Sequence, residues 1–592
     1  MAEKQRIEIS DALKWDFSDI FESDAAWETA YTEAEAAIGG LDSIRGTLGN
    51  SVKAMKSGLD RLFSVSEQIE HVFLYAMLRK NVDNGDATYQ TMYGKAMNLH
   101  VAFSTACAFL DPEILSIAPE KLVEMMNNPA LANYRHMLEN IDRMRAHTRD
   151  TETERLLAML SDAIQTPSDC FNMLESVDMT FPEITDEDGE PAPLTHGSFG
   201  VYRESTNARV RREAFEKYFG EFQKYRNTFA ALYAGNVKTD NFLAQVRNYA
   251  SACEQALFDD NAPLEVYDRL IEAVHGGLPT MRRYLELRRR ILGLDQLTMC
   301  DLYCPIVEGV DMKIPYEEAK KLVRDACKPL GKGYQELLDR AYSERWIDVY
   351  ETRGKTTGAY SCGVYGAHPY VLLNYADTLD DVFTLAHELG HAMHSYLSNQ
   401  KQDYANHSYR ILVAEVASTV NEVLLTRHLL SIETNPARRA YILNHFLEGF
   451  RTTVFRQTLF AEFERQAHDL QMSGTPLTAE LLTDIFGKLN ALYYDGVEQS
   501  DLHNIEWARI PHFYNAFYVY QYATGFSSAV SIAKSILEDN GAAAYLEFLS
   551  TGGSDYPLEE LKIAGLDLTK PDAVASALAE FDVSLSALEA LL

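Results

Sequence analysis

The chain of 592 residues predicts a mainly α protein, with a small β-sheet placed beside one particular helix. Apolar residues recur at spacings of three and four through most of its length, the mark of helices with one buried face. β-branched and aromatic residues broken by Gly and Pro are confined to a few short stretches, near 179–202, 346–350 and 358–375. Hydrophobic content of 46% and charged content of 24% are ordinary for a chain that buries a core.

Taken in order, 24–174 is almost continuously helical in pattern. Within 64–78, Ile69, Val72, Phe73, Ala76 and Met77 mark one face, and the turn cluster Asn81 to Asp86 separates that stretch from the next, 89–110. The run 179–202 reads as a hairpin turning at Asp-Gly within DEDGEP. A boundary near residue 200 then divides an N-terminal helical lobe, 1–200, from a second region, 201–592. Helical patterns return over 207–253 and 263–292, a short strand is expected over 301–310, and 315–342 is again helical. The stretches 346–350 and 358–375 form the small sheet. Helices follow over 378–398, 409–430, 436–472 and 478–492, with another resuming after the Tyr-rich segment 512–522.

The chemistry centres on 378–398. Thr378, with Asp381 three residues on, starts a helix in the manner of a capping box. His387 and His391 lie one turn apart on that helix and project from one face, where two neutral imidazoles can take two corners of a tetrahedral zinc site. Glu388 between them is placed to act on water rather than on metal. The motif alone also fits a partly buried helix whose histidines bond their neighbours. A zinc site of this kind needs a third protein ligand. In the apolar helix 409–430 the acids are Glu415 and Glu422, seven apart and therefore on one face. Glu415, 24 residues after His391 (415 − 391), is the candidate third ligand, and Glu422 the candidate acceptor for a ligand imidazole N–H.

Two segments are candidates for handling a substrate. In 358–375 an edge strand could pair with an extended peptide, making Gly358, Ala359, Tyr360, Gly363, Tyr365 and Gly366 candidate contacts; a closed structural hairpin is the alternative. The run His512 to Tyr522 holds one His and four Tyr, donors suited to charge developing on a carbonyl oxygen. Its alternative is an aromatic core helix.

HELGHAMH, VAEVASTVNE and RIPHFYNAFYVYQYATG together resemble oligoendopeptidase F, of the thimet oligopeptidase family of zinc metallopeptidases, and WDFSDIF and LSTGGSDYPLEELKIAGLDL extend the likeness over nearly the whole chain. The resemblance implies a two-lobed helical peptidase with an enclosed channel that admits short peptides. It implies one zinc ion per chain on His387, His391 and Glu415, with Glu388 as general base. It places oxyanion donors at His512 and among the tyrosines, Tyr518 and Tyr520 before Tyr514, with Tyr514 and Tyr522 as further substrate contacts. A dipeptidyl carboxypeptidase of the same broad family and a non-catalytic helical peptide-binding protein are the competing functions.

Net charge of −33 sets the chain against a nucleic-acid partner. Seven scattered cysteines form no disulfide framework, the first residues lack the apolar core of a signal peptide, and no run of about 18 apolar residues occurs. The expectation is a cytoplasmic protein with no membrane partner. The sequence sets no oligomeric state.

Overall fold

The computed structural model describes residues 4–307 and 312–592 and is mainly helical, with five short strands. The strands are β1 (Ile184–Thr185), β2 (Pro191–Ala192), β3 (Ile347–Asp348), β4 (Tyr360–Cys362) and β5 (Tyr370–Leu372). The chain forms two compact units, each from three segments: Met1–Arg145, Met312–Ser431 and Ile532–Leu566 in the first, and Ala146–Asp311, Ile432–Ser531 and Asp567–Leu592 in the second. This division by packing cuts across the expected sequence regions 1–200 and 201–592. No single helix among the described residues is long and apolar enough to cross a membrane.

In the first unit, the helix Val52–Val82 buries Met55, Leu59, Leu62, Val65, Ile69 and Val72 along one face. Ser51 caps it by accepting from the Ala54 N–H, and Asp86 caps the next helix, Ala87–Cys107, from the far side of the expected turn. Trp27 is fully buried against this pair, and its indole N–H donates to the Val72 carbonyl at 2.8 Å.

The expected small sheet forms in the order β3–β5–β4, with β5 parallel to β3 and antiparallel to β4. An N-terminal segment locks it in place. The Trp15 indole N–H points at the Trp346 and Val371 carbonyls, each at 2.9 Å, while Arg6 and the buried Lys355 both pair with buried Asp348. These bonds satisfy charges that would otherwise be costly so far from water.

The motif helix, Leu379–Lys401, begins with the expected capping box: the Thr378 hydroxyl accepts from the Asp381 N–H, and the Asp381 carboxylate accepts from the Thr378 N–H. Gly363, beside β4, packs against its Ser395, where an added Cβ would come within 2.7 Å. A second helix, Ile411–Ile432, crosses the motif helix at Gly390. A Cβ on Gly390 would lie 2.5 Å from the Ala417 carbonyl oxygen and 2.5 Å from the Ser418 Cα. Asn421 of the second helix donates to the Ala386 carbonyl at 3.0 Å, and its own carbonyl accepts from the buried Tyr334 hydroxyl.

The second unit contains the β1–β2 hairpin, with Gly189 at φ +87° in its turn, and long helices including Ala208–Lys224, Arg226–Val246 and Leu264–Ile291. Two expectations change here. The strand expected over 301–310 gives way to a 3-10 turn at Met299–Asp301, because Asp301 is drawn into a capping box with Thr298 and a buried ion pair with Arg211; residues 308–310 of that stretch lie outside the described residues. The helix expected over 436–472 is interrupted by a π turn, Phe450–Phe455, between Pro436–Gly449 and Arg456–Met472.

The crossing at Gly390 yields a stability prediction. The atoms a methyl group would meet are backbone, so Gly390→Ala should lower the unfolding free energy of the metal-free protein by about 2 kcal/mol, despite the roughly 1 kcal/mol that Ala gains over Gly in an open helix. Chemical denaturation measures it. An unchanged midpoint would mean that the two helices can separate without cost.

Candidate active site

Four carboxyl and imidazole groups converge where the two helices cross. His387 Nε2 and His391 Nε2 lie 3.2 Å apart, and Glu415 Oε2 lies 3.5 Å from the first and 3.8 Å from the second. A tetrahedral zinc with bonds of about 2.0–2.1 Å sets its donors roughly 3.3 Å apart, so the donor triangle fits such an ion in size and in chemistry. Among the described residues this is the group of His, Cys, Asp and Glu side chains that could hold a metal. The fourth group, Glu422, accepts from the Nδ1–H of His387 at 2.5 Å. That bond fixes the tautomer and leaves Nε2 facing the other donors.

The electrostatics follow from burial and crowding. Burial alone would lower the pKa of His387, but the bond to Glu422 and the charges of Glu388 and Glu415 raise it to about 9. Burial, reinforced by His387, brings His391 down to about 3. Glu388 is 7% exposed, and burial together with Glu415 and Glu422 lifts its carboxyl to about 7. Such a group exchanges a proton readily near neutral pH.

The Tyr-rich segment, in the second unit, divides into anchors and presented side chains. Phe513 is buried among Tyr233, Phe460 and Phe463. Phe517 is buried too, and its backbone is left-handed at φ +58°. Its N–H donates to buried Glu464 at 2.7 Å, which holds this unfavourable conformation. Between and beyond these anchors, His512, Tyr518 and Tyr522 come together. His512 Nε2 lies 3.3 Å from the Tyr522 hydroxyl, and the Tyr518 and Tyr522 rings meet edge to face at 5.4 Å. Burial keeps the His512 pKa below its usual value, so the ring is neutral near pH 7 and carries one N–H to donate. Tyr514 stacks on Phe171 with centroids 4.4 Å apart. Tyr520 departs from its expected place beside His512. The helix Tyr520–Glu538 begins there and turns that side chain inward, so it is 1% exposed and packs on Tyr267.

The strand residues are also sorted. β4 is the edge of its sheet, as expected. The Tyr360 hydroxyl, however, accepts from Asn81, the Tyr365 hydroxyl donates to the Gln402 carbonyl, and the Gly358 carbonyl accepts from Asn374. Gly363 serves the contact with Ser395, which leaves Ala359 and the exposed Gly366 with no such engagement described. Gly390 and Asn421 were not singled out from the sequence, although a glycine in mid-helix is itself a signal of close approach.

Residues 201–580 match the family described as Peptidase family M3, and residues 113–181 match that described as Oligopeptidase F. The chain belongs to peptidase family M3. Oligopeptidase PepF of Bacillus subtilis is 42% identical over 99% of this chain and 88% of its own length. An oligoendopeptidase F homolog of Lactococcus lactis is 38% identical over 99% of this chain and 98% of its own. Among solved structures, a peptidase from Chlamydophila abortus superposes with a TM-score of 0.95 at 34% identity, covering all of both chains. The oligoendopeptidase-F of Enterococcus faecium gives 0.73 at 37% identity, over 96% of this chain and 99% of that one. An M3 member with these relatives is a metalloendopeptidase of the oligoendopeptidase F type, acting on oligopeptides.

The donor triangle and its support predict the behaviour of the metal. His387→Ala should leave zinc below stoichiometric after dialysis. Glu422→Ala should keep the fold but weaken zinc about 10–100-fold, by releasing the ring that Glu422 orients. Competition with a chromophoric chelator reads both. Unaltered affinity in Glu422→Ala would remove Glu422 from the metal's support.

Proposed function

We propose that the chain is a zinc-dependent endopeptidase of the cytosol that hydrolyses internal bonds of short peptides, with 201–592 as its catalytic region. The observation that carries this reading is the triangle of His387, His391 and Glu415 beside a buried Glu388 in an M3 chain. Zinc held by those three residues would act as a Lewis acid and make water acidic enough to attack near neutral pH.

The remaining work belongs to this chain's own side chains. Glu388, with its carboxyl near pH 7, accepts a proton from the attacking water on a carboxylate oxygen and then delivers it to the leaving amide nitrogen. Glu422 holds His387 in the tautomer that presents Nε2. As the scissile carbonyl becomes tetrahedral, its oxygen gains negative charge, and the neutral His512 N–H with the Tyr518 and Tyr522 hydroxyls are the donors suited to it. Burial of Tyr520 favours Tyr518 and Tyr522 over it for that task. The main chain beside β4, at Ala359, offers sequence-independent bonds to an extended peptide.

The test uses an internally quenched peptide of about ten residues with both termini blocked. Cleavage should vanish with chelator and return with zinc. Glu388→Gln should retain zinc yet lose kcat by about 10²–10⁴-fold. His512→Phe should lower kcat by about 10²-fold with little change in KM, since the donor acts on charge that exists only in the transition state. Interior cleavage by Glu388→Gln at the wild-type rate would overturn the assignment of the base. Cleavage confined to peptides with a free C-terminus would favour a dipeptidyl carboxypeptidase instead.

A further inference from the structure

The second unit gathers arginines around a cavity of about 530 Å³. Arg203, Arg456 and Arg509 line it, together with Tyr303, Thr452 and Gln457. Arg456 binds Glu506 through both terminal nitrogens, at 3.2 and 2.7 Å, and Arg509 donates to the same carboxylate at 3.0 Å. Glu506 is 3% exposed, so its acceptors are committed to that pairing. Arg203 has no carboxylate partner among the described residues. It lies over the Tyr303 ring at 3.8 Å, with its buried Nε unsatisfied. Arg451 approaches the same ring at 4.4 Å and shares Glu448 with Arg288, both arginines being almost wholly buried.

The charge does not balance. Among the described residues, Arg203, Arg288, Arg451, Arg456 and Arg509 face Glu175, Glu204, Glu448 and Glu506, five cations against four anions, and Glu175 already pairs with His196 and Ser176. Buried Arg288 and Arg451 are paired with Glu448, so the uncompensated charge falls on half-buried Arg203, where an anion from solvent can join it, and it stands out in a chain whose net charge is −33. The Tyr303 hydroxyl responds to the same field: burial would raise its pKa, yet Arg456, Arg451 and Arg203 bring it down to about 8. The π turn Phe450–Phe455 builds this arrangement. Bonding from i to i+5 brings Arg451 and Arg456, five apart, towards one side, where a regular α-helix would set them well apart. Gln457 adds a buried side-chain oxygen with no partner.

We propose that this cavity binds a small oxyanion, a phosphate or carboxylate group carried on a compact molecule, through the unused N–H edges of Arg203, Arg456 and Arg509 and the Tyr303 hydroxyl. Planar guanidinium forks match both kinds of group, and the volume leaves room for an organic body beyond the charged end. Its binding is measured without peptide cleavage, so the proposal stands or falls separately from the proposed activity, although Pro511 of the lining directly precedes His512.

Calorimetry on the full-length zinc-loaded protein, at ionic strength held constant with sodium chloride, provides the test, with inorganic phosphate and succinate as probes. The expected result is saturable binding of at least one of them at one site per chain. Arg203→Ala should weaken it at least tenfold with only a small fall in the melting temperature of the ligand-free protein, because Arg203 holds no ion pair and loses only its stacking on Tyr303, and Arg203→Lys should recover part of the loss. A tighter fit of phosphate assigns a phosphorylated ligand, and a tighter fit of succinate a carboxylate. If a short peptide displaces the bound probe and its C-terminally amidated form does not, the carboxylate is a peptide terminus. Absence of saturable binding by either probe, or equal binding by Arg203→Ala, overturns the proposal.

Discussion

The contact on which the candidate site depends is the crossing of Leu379–Lys401 and Ile411–Ile432 at Gly390. Glu415 can approach His387 and His391 only if the two helix backbones come closer than a side chain at the crossing would permit. Position 390 therefore carries hydrogen where most helical positions carry carbon, and the Ala417 carbonyl and Ser418 Cα occupy the space. Asn421 then fixes the register by donating to the Ala386 carbonyl, so one helix cannot slide along the other. With rotation and register both set, the acids seven apart on the second helix take different tasks. Glu415 reaches the open side of the imidazoles, and Glu422 reaches the Nδ1 of His387.

This arrangement concentrates charge at a half-buried site. Three carboxyl groups, Glu388, Glu415 and Glu422, stand around two imidazoles; burial and then the other two carboxylates raise the Glu388 pKa, and the same carboxylates raise that of His387 against its burial. A divalent cation relieves that crowding directly, which is a physical reason for the donor set beyond its geometry. The rigid surroundings keep the groups from relaxing apart. The sheet β3–β5–β4 packs against the motif helix through Gly363 and Ser395, and Trp15 with Arg6 ties that sheet to the beginning of the chain. The WDFSDIF segment lies hundreds of residues from the motif in sequence, yet it contributes to the floor on which the motif helix rests.

The parts of the fold legible in the sequence were those with local causes. The capping box at Thr378, the one-turn spacing of His387 and His391, and the shared face of Glu415 and Glu422 need only helical periodicity. Other parts required partners far along the chain. The π turn at Phe450–Phe455 carries only Gly449 before it as local punctuation, too little to tell an interruption from a continuing helix, and its arginines are held by partners off the turn, Arg451 by Glu448 and Arg456 by Glu506. Asp301 left the expected strand for Thr298 and Arg211. Tyr520 looked equivalent to Tyr518 and Tyr522, because the sequence did not show where the helix after His512 begins, and a start at Tyr520 sends that one ring into the core.

The same start gives the Tyr-rich segment its order. A donor that stabilises a transition state must be positioned before charge develops, since rearranging it during the reaction costs part of what it contributes. His512, Tyr518 and Tyr522 are half-buried members of a segment pinned by two buried phenylalanines. The pin at Phe517 is strained, with a bulky residue in the left-handed region where glycine is favoured. Burial raises the pKa of Glu464 above the usual carboxylate range, and its carboxyl accepts the Phe517 N–H that this backbone conformation presents. The bond to Glu464 and the burial of Phe513 and Phe517 thus hold the segment from two sides, which sets the rings of His512, Tyr518 and Tyr522 against one another.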